Sequence, residues 1–467
     1  MHLWLQWWIA IWQLRPACSR LRSFLWFSCC VAGITVRTDN LGVTSIVRAL
    51  GLKQMFYDRL LDSFHSRAIS LTKMTTLWVS IVLSLFPGIL RVNDRIVLVG
   101  DGIKIPKQGK LMPAVKRLHQ QSESNTKPEY IMGHSFQAVG LLVSACKSVF
   151  AVPLASRIHE GLVFSNRDEK TLLDKMVALI VSLAITTPYY FVADAYYASA
   201  KVILGMLAQG NHLVTKARIN AVAYYPATVP QGPKKRGRPS KYGQKVKLRW
   251  LFSDRKAMQT AQSPVYGEDD VTLQFRCIDL LWRPVGIVVR FVIVVHPTRG
   301  KCILMSTDLS LEPIDIIRLY GFRSKIEVGF KQAVRTIGAY AYHFWMMDMK
   351  PLRRSQGNQY LHRETKLYRE HIIRKIGAYH LFVHAGIVAQ GLLQYLSITY
   401  PDLIWRSFGS WIRTIRPGIP PSEMVTAMAL RETFPQFLLT RKTGSIFAKF
   451  VVERIDPNRS EGLRLIA

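Results

Sequence analysis

Apolar positions in the first ninety residues recur at helical spacing. Residues 3–14 are almost wholly apolar, and Trp4, Trp7, Trp8 and Trp12 fall on one stripe, which predicts a docked amphipathic helix. Leu60, Leu61 and Phe64 mark another amphipathic face, and Met74 to Leu90 is an uncharged run broken near its end by Pro87-Gly88. That run falls short of the roughly 20 residues a membrane span needs, so it reads as a buried helix and no stable membrane association is expected. The period then shortens. Ile96 to Val99 is an apolar run stopped by Gly100-Asp101-Gly102, the pattern of a buried strand ending in a turn. Strand-like runs follow at 135–145 and 148–154. Next come a helix from Asn166 (its N-cap) to Leu183, a strand from Tyr189 to Ala193 ending at Asp194, a helix from Ala198 to Ala208 and a strand from Leu213 to Lys216. Three strands followed by helix–strand–helix–strand predict an α/β fold, a mixed sheet flanked by helices. Residues 217–305 break this alternation with a Pro-, Gly- and Lys/Arg-rich loop and β-branched runs such as Val285 to Val295, and read as a β-rich insertion. A helix is expected from Ser310 to about Val334, and residues 350–467 look helical around a Pro-rich break at 417–421. The expected organisation is an N-terminal helical region (1–93), a core in two parts (94–216 and 306–349), the insertion (217–305) and a helical C-terminal region (350–467).

Charge adds a partner to this outline. The 467 residues carry 63 Lys plus Arg against 30 Asp plus Glu, a net charge of +33, which favours a polyanion such as nucleic acid or an anionic membrane surface. The basic residues concentrate between Lys216 and Lys256, where only Asp254 opposes them. Within that stretch Lys234, Lys235, Arg236 and Arg238 precede Pro239 in a Lys-Lys-Arg-Gly-Arg-Pro sequence. It reads either as a loop binding phosphates without sequence preference or as a hook placing arginines in a narrow minor groove. The strand-like alternation of Lys245, Lys247 and Arg249 with Val246, Leu248 and Trp250 places Trp250 in the core; Trp282 and Trp345 are further candidates for stacking on an extruded base. Six cysteines without Cys-x-x-Cys spacing read as buried thiols, and His134 as an ordinary hydrogen-bonded histidine.

Three acids carry the candidate chemistry. Asp101 and Asp194 both follow predicted buried strands, where side chains emerge into a crevice and a carboxylate needs water, a partner or a metal ion. Taken singly, Asp101-Gly102 is also an ordinary turn, Asp194 also a helix cap and Glu327 also a solvated helix residue. On one continuous helix, Tyr320, Arg323, Glu327 and Lys331 share a face, so carboxylate, cations and phenol are presented together.

These segments resemble the DDE transposases of bacterial insertion sequences. The matching stretches are Val97-Leu-Val-Gly-Asp101-Gly, Phe191-Val-Ala-Asp194-Ala-Tyr-Tyr, Ser306-Thr-Asp-Leu and Tyr320-Gly-Phe-Arg323-Ser-Lys-Ile-Glu327, with Tyr-x2-Arg-x3-Glu the distinctive spacing. The resemblance runs from about residue 94 to 345. It implies an RNase H-like catalytic core with a β-rich insertion between the second and third acids. It further implies two Mg²⁺ (or Mn²⁺) ions held by Asp101, Asp194 and Glu327, with Asp101 bridging them, and DNA contacts from Tyr320, Arg323 and Lys331. The implied activity is DNA cleavage at transposon ends followed by strand transfer, by a homodimer in the cytoplasm associated with the nucleoid. The nearest alternatives are another RNase H-like nuclease or integrase, and a derived DNA-binding protein without catalysis. The family's Glu-x6-Lys pattern would put Lys at 334, where this chain has Val334; Lys331 and Arg335 are the neighbouring cations.

Overall fold

A computed structural model describes residues 2–120, 128–146, 148–228, 240–265, 267–268, 270–409, 415, 418–439 and 445–458. Five helices come first: α1 (Leu3–Trp12), α2 (Leu21–Val36), α3 (Val43–Ala49), α4 (Phe56–Phe64) and α5 (Leu71–Leu85). Side chains of His2 and Ser70 cap α1 and α5 by accepting from Trp4 and Lys73 amides. Trp4, Trp7 and Trp8 are buried, and the Trp4 indole N–H donates to the Leu430 carbonyl at 2.8 Å. Trp12, expected on the same stripe, is 42% exposed at the C-terminal end of α1, where its ring meets Trp8 and Phe24 at 5.3 and 5.4 Å between centroids.

The strands that follow are β1 (Arg91–Val92), β2 (Arg95–Pro106), β3 (Lys116–His119), β4 (Tyr130–Ala145), β5 (Ser148–Ile158) and β6 (Leu162–Val163). Then α6 (Leu172–Val181), β7 (Tyr189–Val192), α7 (Ala200–Leu207) and β8 (His212–Ala217) alternate as the pattern predicts. β4 pairs antiparallel with both β2 and β5, while β7 runs parallel to β2 and β8 parallel to β7. The order β5-β4-β2-β7-β8 is the mixed sheet expected of an RNase H-like core. Residues 217–305 contribute β9 (Val222–Pro226), β10 (Tyr242–Lys247), β11 (Gln259–Gln262), β12 (Thr272–Trp282), β13 (Ile287–His296) and most of β14 (Gly300–Ser306). β14 pairs antiparallel with β8, so these strands prolong the same sheet.

The chain closes with α8 (Pro313–Gly321), α9 (Ser324–Gln332), β15 (Gln359–Tyr360), α10 (Lys366–Thr399), α11 (Pro401–Phe408), α12 (Glu423–Leu439) and α13 (Ile446–Val452). Among the described residues α10 is the one helix long and apolar enough to cross a membrane, and 94% of its most apolar window is buried against the rest of the fold. The larger apolar core joins α1–α5 and α10–α13 to β5 and continues under α6 and α7; a smaller one lies between α8–α9 and the opposite face, around Val97, Val99, Tyr190, Val192 and Ile326.

Several expectations change in the structure. β2 does not stop at Gly100-Asp101-Gly102 but runs through it to Pro106, with Asp101 opposite Ala138. Gly100 is not a turn residue: a Cβ there would collide with the Phe191 ring. The helix expected from Asn166 begins at Leu172, because Thr171 and Asp174 form a reciprocal capping box. The helix expected over 310–334 is two helices joined at Phe322-Arg323, then a π-helical turn over Ala333–Ile337 ended by Gly338 in the left-handed region (φ 66°). That turn is pinned by buried Arg37, whose guanidinium donates to the Ile337 and Gly338 carbonyls at 2.8 and 2.7 Å. Trp250 is 58% exposed, since the strand alternation ends at Lys247 and the chain turns into a 3-10 helix (Leu248–Ser253). Cys18, Cys29 and Cys30 are buried as expected, but Cys146 is exposed and Cys277 and Cys302 are half-buried.

Candidate catalytic site

The parallel pairing of β2 with β7 ends at Val99 opposite Val192. From Gly100 onward β2 continues alone on that side, and the chain leaving β7 turns away through Asp194. The two strands part there, with Asp101 two residues beyond the last paired residue of β2 and Asp194 two beyond that of β7. Asp101 is held on β2 with one carboxylate oxygen accepting the Gly102 N–H at 2.7 Å. Asp194 caps a 3-10 turn (Ala195–Tyr197) by accepting the Tyr196 N–H at 3.0 Å, and its carbonyl accepts the Thr215 hydroxyl of β8 at 2.7 Å. Asp194 therefore caps this turn at the point where β7 leaves β2. Thr215 was invisible in the sequence, being one inward position on a short strand.

Helix α9 lies across β2 and β5 and brings the third acid. Arg323, at its N-cap, donates to Asp101 at 3.1 Å and to Glu327 at 2.6 Å, so one guanidinium bridges two of the three carboxylates. Burial pushes the Asp101 carboxyl up to about 6, with the charges of Asp194 and Glu327 adding to the rise and the Gly102 N–H and Arg323 opposing it. The Tyr320 phenol is raised to about 12, again first by burial, with Asp194 and Asp101 adding and Arg323 opposing. Asp101 lies in the field of Asp194, Arg323 and Glu327, and Tyr320 in that of Arg323, Asp194 and Asp101. Asp101, Asp194, Tyr320, Arg323 and Glu327 thus form one cluster, although Tyr320 reaches it from α8 rather than from the helix that holds Glu327.

Lys331 is exposed in the last turn of α9, two turns beyond Arg323 on the same face. Val334 and Arg335, also exposed, belong to the π turn, so an ideal-helix phase no longer relates them to Glu327. Lys234, Lys235, Arg236 and Arg238 lie outside the described residues. Trp282 is buried and Trp345 is 58% exposed beside Lys110 and His343. His134 is fully buried: its Nε2–H donates to the Pro113 carbonyl at 2.8 Å and its Nδ1 accepts the Tyr342 hydroxyl at 2.6 Å, a neutral structural histidine whose pKa burial lowers to about 3. Asp308, in the Ser306-Thr-Asp-Leu stretch, accepts the Tyr190 hydroxyl at 2.6 Å and ties the end of β14 to β7.

An all-oxygen set of Asp101, Asp194 and Glu327 has the chemistry of a hard divalent-ion site. Among the described residues, however, no three acidic, His or Cys side chains approach closely enough to hold an ion as they stand. A cation already occupies this ground, the Arg323 guanidinium between Asp101 and Glu327.

Comparison with known proteins bears on this cluster. No curated protein matches the sequence. Among solved structures, a cryo-EM structure of the piggyBac transposase synaptic complex with hairpin DNA overlaps 94% of this chain and 77% of that one, at 12% identity and a TM-score of 0.36. The sequence matches the DDE superfamily endonucleases over residues 25–272, a span that holds both aspartates and more than half of the chain, and the protein belongs to that family.

Proposed function

We propose that this DDE endonuclease is a transposase that cuts DNA at transposon ends and joins the freed 3′ end to target DNA, with Asp101, Asp194 and Glu327 as metal-binding carboxylates. The observation that carries this reading is the point where β2 outruns β7, at which Asp101, Asp194, the α8 phenol of Tyr320, the Arg323 guanidinium and the α9 carboxylate of Glu327 come together. When bound, divalent ions supply Lewis-acid stabilisation for the charge that builds on the phosphate and on the leaving oxygen. By the family resemblance Asp101 would be the shared ligand, with Asp194 and Glu327 each holding one ion; its carboxyl lies in the field of both. Tyr320, Arg323 and Lys331 supply the phenol and cations that hold the scissile strand; a guanidinium grips a phosphate with two parallel hydrogen bonds. Both strand cleavage and strand transfer use one site, because each is an attack by an oxygen on a phosphate held in the same place. A net charge of +33 supports DNA as the partner, and working on two paired ends calls for a homodimer.

The test is cleavage of a plasmid carrying the element's inverted repeats, with Mg²⁺ or Mn²⁺, by the wild-type protein and by Asp101→Asn, Asp194→Asn and Glu327→Gln. Metal-dependent nicking by the wild type alone, with DNA binding retained in all four, supports the reading. Retained cleavage in any variant removes that residue from the site, and binding without cleavage by the wild type identifies a DNA-binding protein that has lost catalysis.

A further inference from the structure

We infer that Arg323 is a DNA-released latch: without DNA its guanidinium takes the place of the metal charge between Asp101 and Glu327, and a DNA phosphate draws it off and opens the site to the ion. This rests on the metal-site reading above and goes beyond it by coupling metal loading to DNA occupancy.

The geometry is specific. The two arms of the guanidinium go to two different carboxylates, Nη1 to Asp101 Oδ2 at 3.1 Å and Nη2 to Glu327 Oε1 at 2.6 Å. An ion shared by these acids would draw on the same two carboxylates, so guanidinium and ion compete for their charge. The competition is between like charges as well, since a divalent ion a few ångströms from a guanidinium meets repulsion in a partly buried crevice. As they stand, Asp101, Asp194 and Glu327 do not converge as a metal-binding trio among the described residues.

Release needs a competitor for the guanidinium, and the structure leaves a way in. The Arg323 side chain is 22% exposed and Glu327 is 54% exposed. The Glu327 arm is therefore weakly held, while the Asp101 arm, with the carboxylate only 20% exposed, is the one a phosphate has to replace. A phosphate diester offers the same fork of oxygens with the charge delocalised, and forms two parallel bonds to one guanidinium. Arg323 stands at the N-cap of α9, where Phe322-Arg323 joins two helices, so its side chain swings from a junction and not from a helix interior. Glu327 is then left as the ligand one turn along the same face. The arrangement keeps an exposed acid crevice from collecting divalent ions when no DNA is present to be cut.

The experiment reads metal binding and not turnover. Mn²⁺ is titrated into the full-length protein without DNA, with free Mn²⁺ followed by electron paramagnetic resonance. Arg323→Ala is expected to bind Mn²⁺ at least tenfold more tightly than the wild type. Arg323→Lys, a point charge unable to bridge both acids, is expected to fall between them. Adding a duplex with a 3′ end tightens Mn²⁺ binding to the wild type, and by reciprocity Mn²⁺ tightens DNA binding by the same factor. Arg323→Ala binding Mn²⁺ no more tightly than the wild type overturns the latch, with thermal unfolding showing that both are folded and Arg323→Lys repeating the comparison should the alanine variant unfold. Asp101→Asn separates the two failures. If the Mn²⁺ bound by Arg323→Ala survives Asp101→Asn in the same chain, the metal site itself is elsewhere and the catalytic reading falls; if it is lost, that reading stands whatever becomes of the latch.

Discussion

The two faces of the central sheet differ in what their helices are for. On one, β5 and its neighbours are covered by a continuous apolar core that reaches from α1 to α13 and includes Trp4, Trp7, Trp78, Tyr379 and Phe382, all essentially without solvent contact. Two of the polar groups there bond to backbone: the Trp78 indole donates to the Pro153 carbonyl at 2.9 Å, and the hydroxyl of Tyr379 donates to the Phe344 carbonyl at 2.6 Å. On the other face α8 and α9 rest on a much smaller core, and beside Ile326 the packing gives way to Arg323, Glu327 and the two aspartates. One face stabilises the sheet; the other leaves charges half-exposed beside it. A carboxylate such as Asp101, held up to about 6 by burial and by like charges, is a cost to folding that the opposite face must offset.

The comparison breaks most visibly if the acids are removed. Asp101→Asn should lower cleavage by more than about a thousandfold, about 4 kcal/mol in transition-state stabilisation, without weakening the fold. A single-turnover assay on a pre-bound end, paired with a melting curve, reads both quantities, and a variant that loses stability along with activity would erase the division between the faces. The converse change is Trp78→Ala. It removes a buried indole packed against Gly391 and should cost about 3–5 kcal/mol of stability, measured by denaturant unfolding. Cleavage per folded molecule should hardly change.

A smaller effect sharpens the electrostatic half of the argument. With a folded-state pKa near 6 against an ordinary 3.8, Asp101 binds its proton more tightly in the folded chain. Its favourable contribution is therefore complete below about pH 4 and is lost as the pH rises through 6. Asp101→Asn should gain stability over the wild type by up to about 2 kcal/mol between pH 4 and 7, with no gain below. A flat difference across that range would show that the carboxyl is not buried among like charges. The smallest effect concerns the cation on α9. Lys331→Ala should slow cleavage about tenfold, about 1.4 kcal/mol, with Arg335→Ala milder, since Arg335 has been carried off the helix phase by the π turn. Wild-type rates for Lys331→Ala with loss in Arg335→Ala would reverse their roles.

The sequence by itself determined the kind of each element and the order in which the acids arrive. Apolar runs, aliphatic in β2 and aromatic in β7, marked β2, β4, β5, β7 and β8, because a strand buried on both faces has little choice of residue. Asp101, Asp194 and Glu327 were found by their neighbours, and Tyr320-x2-Arg323-x3-Glu327 by its spacing. Where strands end and helices break was decided elsewhere. Gly100-Asp101-Gly102 reads as a turn, but β4 pairs with it throughout and the Phe191 ring fills the space a side chain would need. Trp250 alternates like a core residue until the chain leaves the strand at Leu248. The face shared by Tyr320 and Glu327 assumed one helix, and the junction at Phe322-Arg323 made it two. Local pattern fixes which side chains can be buried, since that depends on a few neighbours along the chain. Only tertiary pairing fixes that β7 stops at Val192 while β2 continues past Val99, because that limit depends on strands about ninety residues apart, and it is this unequal length that parts the two strands beside Asp101 and Asp194.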